Sequence, residues 1–137
     1  MDDIKIGDII VINEFVSQGK EIKRHSFVVI EDQNGEVCGL DYDFIALLMS
    51  SFKNDEQKKN KLKFPGNYPI TSESENIKEG NSKEGFIKAE QFYYFSKERI
   101  EYKVIGELKP ETLTDLMNFI EQLSTNGVLI TQVIDNL

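Results

Sequence analysis

Apolar residues in this chain come in short runs separated by polar, glycine-containing stretches, a pattern of strands more than of helices. After the turn signal Gly7-Asp8, the run Ile9-Ile10-Val11-Ile12 reads as a first strand, and residues 17–23, polar around Gly19, read as a loop. Ser26-Phe27-Val28-Val29-Ile30 reads as a second strand, Asp32-Gln33-Asn34-Gly35 as a hairpin turn, and residues 36–41 as a short third strand. Residues 43–51 (DFIALLMSS) are apolar almost throughout, which fits a central strand or a buried helical turn equally well. In the mainly polar stretch 52–85, two prolines confine the island Phe64-Pro65-Gly66-Asn67-Tyr68-Pro69-Ile70 to an edge strand or an extended loop. Residues 71–85 hold one apolar side chain, Ile77, among charges and glycines, and are expected to form a flexible polar insert. Residues 86–95 and 100–104 read as further strands. The clearest helix follows Pro110, where Leu113, Leu116, Met117, Phe119, Ile120 and Leu123 form a stripe that Gly127 ends. Residues 128–137 have a mixed pattern with no assignment. The expectation is one domain over residues 1–137, mainly β with one C-terminal helix, its five to seven short strands rolled into a small barrel.

Composition agrees with a packed globule: 137 residues, 39% hydrophobic, with nine Phe and five Tyr. No apolar stretch nears the roughly 20 residues of a membrane span, and Met1-Asp2-Asp3-Ile4-Lys5 lacks the pattern of a signal peptide. The single cysteine, Cys38, reads as a small buried residue in a reducing, cytoplasmic setting. A net charge of −8 argues against broad binding to nucleic acid. The charge is uneven, however. Lys53, Lys58, Lys59, Lys61 and Lys63 cluster in one stretch, while residues 111–137 contain no Lys or Arg. The cluster by itself reads as a solvated loop.

Phosphate-binding glycine loops, paired Cys-x-x-Cys and zinc or serine-hydrolase signatures are absent, and the sequence implies no metal and no cofactor. Only Arg24 and Arg99 are arginines. Arg24 stands between the polar loop and the second strand, where a guanidinium can project over a barrel mouth and match a phosphate bidentately. An ordinary surface ion pair is the competing reading. His25, the sole histidine, would point away from Arg24 in an extended segment. Ser50 and Ser51 end an apolar run and bring a hydroxyl to the rim of the core.

These pieces fall in an order that resembles the MazF/PemK/Kid family of toxins. Gly7-Asp8-Ile9-Ile10-Val11 is similar to the family's first strand. Lys23-Arg24-His25-Ser26-Phe27-Val28-Val29-Ile30 is similar to its second, with His25 where proline is usual. Ala46-Leu47-Leu48-Met49-Ser50-Ser51 resembles an apolar run ending in Thr or Ser, and Lys63-Phe64-Pro65 a Lys-Leu-Pro. Gln91-Phe92-Tyr93-Tyr94-Phe95-Ser96-Lys97-Glu98-Arg99-Ile100, followed by Ile105-Gly106-Glu107-Leu108 and a helix, is the best single match. The resemblance covers about residues 4–124. It implies an SH3-like barrel that dimerises, pairs with a cognate antitoxin and cuts single-stranded RNA without metal, leaving 2′,3′-cyclic phosphate and 5′-hydroxyl ends. It also implies roles: Arg24 stabilising the transition-state charge, Ser50 (or Ser51, one register on) holding a phosphate oxygen, and Lys23, Ser51, Lys53 and Tyr93 contacting substrate. Tyr93 stands where some members carry an arginine that helps the site. Arg99 is expected to be structural. Two alternatives remain: a barrel that binds RNA or protein without cutting, and a gyrase-directed toxin like CcdB, which shares the barrel.

Overall fold

The computed structural model describes residues 4–37, 40–77 and 84–136. Nine strands and two helices follow one another in these residues: β1 (Asp8–Ser17), β2 (Lys20–Val37), β3 (Leu40–Ser51), α1 (Asp55–Lys61), β4 (Asn67–Ile70), β5 (Glu75–Ile77), β6 (Gly85–Lys88), β7 (Gln91–Phe95), β8 (Tyr102–Leu108), α2 (Pro110–Thr125) and β9 (Thr131–Asn136). The chain is mainly β with a C-terminal helix, as its pattern predicts. The strands form one sheet in the order β4-β6-β3-β2-β1-β8-β5, with β7 paired to β3 and β9 added in parallel to β7. The two end strands, β4 and β5, are joined by residues 71–74, a tight turn in which Ser74 N–H donates to the Thr71 carbonyl at 3.0 Å. The sheet therefore curls until its ends are neighbours, but no ladder pairs them, so the barrel is open.

Strand β3 is apolar from Phe44 to Met49 because both its faces are covered there. Ile45, Leu47 and Met49 join a cluster with Ile9, Val28, Ile87 and, from α2, Leu116 and Leu123. Phe44, Ala46 and Leu48 point the other way, into a cluster with Ile10, Ile12, Phe27, Tyr93, Phe95 and Val133. Helix α2 begins with proline in its first turn and ends in a Schellman motif: Val128 N–H donates to the Leu123 carbonyl and Gly127 N–H to that of Ser124. Gly127 has φ +81, the left-handed conformation that this motif needs.

Several elements depart from the sequence expectation. Asp32–Gly35 is not the hairpin turn: β2 runs through it with a register irregularity, and the reversal lies between Val37 and Leu40, which are paired. The run 86–95 is two strands, broken at Ala89-Glu90, where Ala89 N–H donates to the Gly66 carbonyl. Within the expected insert, Glu75–Ile77 is a strand paired with β8 and Gly85 opens β6, while residues 78–83 lie outside the described ones, as does Cys38. Helix α1 fills what reads as loop. Its N-cap is Asn54, whose Oδ1 accepts from Gln57 N–H at 2.8 Å, while Gln57 Oε1 accepts from Lys53 N–H at 2.6 Å. Among the described residues, no helix is long and apolar enough to cross a membrane.

Candidate active site

The register of the central strands decides which side chains share a face. Ser26 pairs with Val11 on one side and with Met49 on the other, and Val11 in turn pairs with Lys103. One row on a single face thus runs Lys103, Val11, Ser26, Met49. Arg24 follows two residues along β2 from Ser26, roughly 7 Å away, and Ser51 two residues along β3 from Met49. Both are exposed. Beyond Arg24 the ribbon twists, since Ile22 and its partner Phe15 pack into the opposite cluster. His25 lies on the opposite face, with its ring 5.9 Å from that of Phe15 and its Nδ1 bonded to the Lys23 carbonyl. Ser50 pairs with Phe86, whose ring stacks on Phe52 at 5.3 Å, and it is half-buried between Met49 and Ser51.

Ser26, Ser50 and Ser51 border a cavity of about 100 Å³ at the seam where the curled sheet's ends meet. Met49, Ile70 and Ile77 supply apolar walls, and Glu75 a carboxylate. Glu75 is 7% exposed, held in place by the β5–β8 ladder. That ladder needs Gly106, because a Cβ there would meet the Asn76 carbonyl. Three hydroxyls and a carboxylate around a small cleft, with a guanidinium near it, can bind a tetrahedral anion at the rim and exchange a proton beside it.

Of the residues expected at the site, Ser50 and Ser51 both border the cavity, and Arg24 stands two residues along β2 from Ser26 without lining it. Lys23 pairs instead with Glu14, 3.6 Å away across the hairpin. Lys53 is exposed in the turn that carries β3 into α1, two residues beyond Ser51. Farther along, Lys58 pairs with Glu84, whose hydrogen bond and charge raise the lysine's pKa.

Tyr93 is a correction. It is 3% exposed, packed edge-on against Phe15 and Phe27, and its hydroxyl is 3.0 Å from Ser17 Oγ. It lies in the core on the far side of the sheet from Arg24 and cannot touch a ligand there. Its neighbours Phe92, Tyr94 and Phe95 are likewise packed in or against the two cores. Burial raises the Tyr93 phenol above its ordinary 10.0, and the Ser17 hydrogen bond offsets only part of this. A raised folded value means that this group's contribution is complete below the unfolded pKa and is lost as pH rises through the folded one. Between about pH 9 and pH 11, melting followed by circular dichroism should therefore show a steeper fall in Tm for wild type than for Tyr93→Phe. Equal slopes would mean the phenol ionises no harder folded than unfolded.

Sequence reasoning assigned no role to Ser26 and missed Glu75. Ser26 sits inside an apolar strand, where a lone hydroxyl two residues from an arginine was the available signal. Glu75 lay in a polar segment and had none, since only strand pairing buries it.

The fold and this cleft define a small, mainly β protein with a polar cleft at the seam of an open barrel. Residues 5–124 match the PemK-like, MazF-like toxins of type II toxin–antitoxin systems, and the chain belongs to that family. No curated protein matches it. Membership implies a cognate antitoxin as partner.

Proposed function

We propose that the protein is a metal-independent endoribonuclease toxin that cuts single-stranded RNA at the Arg24–Ser26–Ser51 cleft. The observation that carries this reading is a cleft inside the family-matched region lined by Ser26, Ser50, Ser51 and Glu75, with Arg24 two residues along β2 from Ser26. In the reaction the ribose 2′-oxygen attacks the adjacent phosphorus while the bond from phosphorus to the 5′-oxygen breaks. The products are a 2′,3′-cyclic phosphate and a 5′-hydroxyl. Arg24 neutralises the charge on the pentacoordinate phosphorane, and Ser51 and Ser26 donate to its non-bridging oxygens. Glu75, on the wall of the same cleft, takes the 2′-hydroxyl proton, water protonates the departing 5′-oxygen, and the resulting hydroxide is neutralised by the carboxylic acid.

A net charge of −8 makes general adhesion to RNA weak, so recognition falls to the local groups, and cleavage is expected to be selective. Purified protein should cut single-stranded RNA in EDTA and leave ends that polynucleotide kinase labels without prior dephosphorylation. Ser51→Ala should lower the rate by about 5- to 20-fold, the scale of one lost hydrogen bond to a charged group, and Ser50→Ala by less. Absence of cleavage by wild type at any salt concentration rejects the reading in favour of a barrel that binds without cutting.

A further inference from the structure

The β1–β2 hairpin that carries Arg24 extends beyond the sheet. The last β1 residue paired with β8 is Ile12, opposite Tyr102, and the first β2 residue paired with β3 is Ser26. From there outward the two strands pair only with each other: Glu14 with Lys23, Phe15 with Ile22, Val16 with Glu21 and Ser17 with Lys20. A two-stranded ribbon is marginal on its own. Phe15 and Ile22 anchor this one in the aromatic cluster, and Ser17 Oγ lies 3.0 Å from the Tyr93 hydroxyl. Its backbone edge and turn still need a hold.

The C-terminal strand supplies that hold. Asn136 Oδ1 accepts from Val16 N–H at 2.7 Å, and its Nδ2 donates to the Val16 carbonyl at 2.8 Å. The side-chain amide thus does for β1 what the peptide of a third strand would do. Asp135 Oδ2 accepts at 2.7 Å from the N–H of Gln18, the turn residue with φ +52. Asn136 is itself buried and tied to the end of β7, its carbonyl accepting from Ser96 N–H. Strand β9 lies past residue 124, outside the part of the chain that matches the family.

We infer that Asp135 and Asn136 are positioning residues for Arg24: they clip the β1–β2 arm at its tip and so fix where the guanidinium stands over the Ser26–Ser51 cleft. The inference rests on the proposed role of Arg24. Without the clip only the side-chain anchors of Phe15, Ser17 and Ile22 hold the arm, its backbone loosens, and Arg24, two residues from Ile22, is held less firmly. Misplacing a donor aimed at developing charge lowers kcat more than it raises KM.

Amide exchange and RNA cleavage, measured on the full chain, test this together. In Asn136→Ala and Asp135→Ala, amides of the arm between Glu14 and Lys23, other than Val16 and Gln18 themselves, should exchange faster by roughly 5- to 100-fold. Amides of Val28 and Leu47 in the sheet should keep their wild-type rates, which also shows that the variants are folded. Asn136→Asp retains the acceptor for Val16 N–H and loses the donor, and should fall between. In cleavage assays Asn136→Ala should lower kcat about 5- to 50-fold with KM nearly unchanged, and should cost nothing further when added to Arg24→Ala. Arm exchange unchanged by either substitution overturns the clip. A loosened arm with undiminished cleavage, or a further loss in the Arg24→Ala background, overturns the link to Arg24. Wild-type protein that cuts no RNA removes the proposed function and that link with it, while the exchange result still decides whether the clip exists.

Discussion

Arg24→Ala should reduce single-stranded RNA cleavage by on the order of 10²- to 10³-fold, with most of the loss in kcat. The expectation comes from where the residue stands. It is exposed two residues along β2 from Ser26, which lines the cleft, and no carboxylate is paired with it among the described residues. Its charge is therefore available to a phosphate at the cleft. Arg24→Lys should recover little, because an ammonium on a flexible stem cannot give two parallel hydrogen bonds to one phosphorane. His25→Ala should change the rate by less than about 3-fold, since that ring packs against Phe15 on the other face. Initial rates on a short fluorogenic RNA, with Tm recorded for each variant, check this. Cleavage that survives Arg24→Ala and fails with His25→Ala would place the chemistry on the opposite face of β2.

What the sequence disclosed about this site, and what it withheld, follows from how each residue is fixed. Arg24 was legible because arginine is rare here and its place at the head of an apolar strand is a local feature. The choice between Ser50 and Ser51 was not, because it depends on how β3 is paired, and both border the cleft. Glu75 needed the β5–β8 ladder, a contact more than 30 residues long in sequence. The same division holds for the fold. Helix α2 carries its own signals: a 3.6-residue apolar stripe, proline at the start and glycine after the end. Helix α1 buries no residue, so it has no stripe, and Asn54 followed by Gln57 was its only mark. Strand β3 lost its two-residue period because both faces are covered, while β9 shows none because only Val133 and Asn136 in it are buried. The hydrophobic pattern identifies elements with one covered face. Elements with two covered faces, or nearly none, are settled by their partners.

The largest loss of stability from a single truncation is expected at Phe27. Its side chain is fully buried at the centre of the aromatic cluster, edge-on to Phe15 at 4.9 Å and to Tyr93 and Phe95 at 5.2 Å each. Phe27→Ala removes the transfer energy of the ring, leaves a cavity that four neighbouring strands cannot close, and breaks three favourable ring contacts. Together these should cost about 3–5 kcal/mol, against a total of roughly 5–15 kcal/mol for a domain of this kind. Phe27→Leu, which keeps most of the volume, should cost about 1–2 kcal/mol. Phe64→Ala should stay within about 0.5 kcal/mol, because that ring is 60% exposed. Urea titrations of the three variants give the comparison directly, and a Phe27→Ala loss below about 1 kcal/mol would mean the aromatic cluster is not the core that organises β1, β2, β3 and β7. Phe27 also has a functional reach that Phe64 lacks. It is the residue next to Ser26, pointing into one face of β2 while Ser26 lines the cleft on the other, and it packs on Phe15 at the root of the Arg24 arm. Below its unfolding midpoint, Phe27→Leu should therefore slow cleavage as well as lower stability, while Phe64→Ala should do neither.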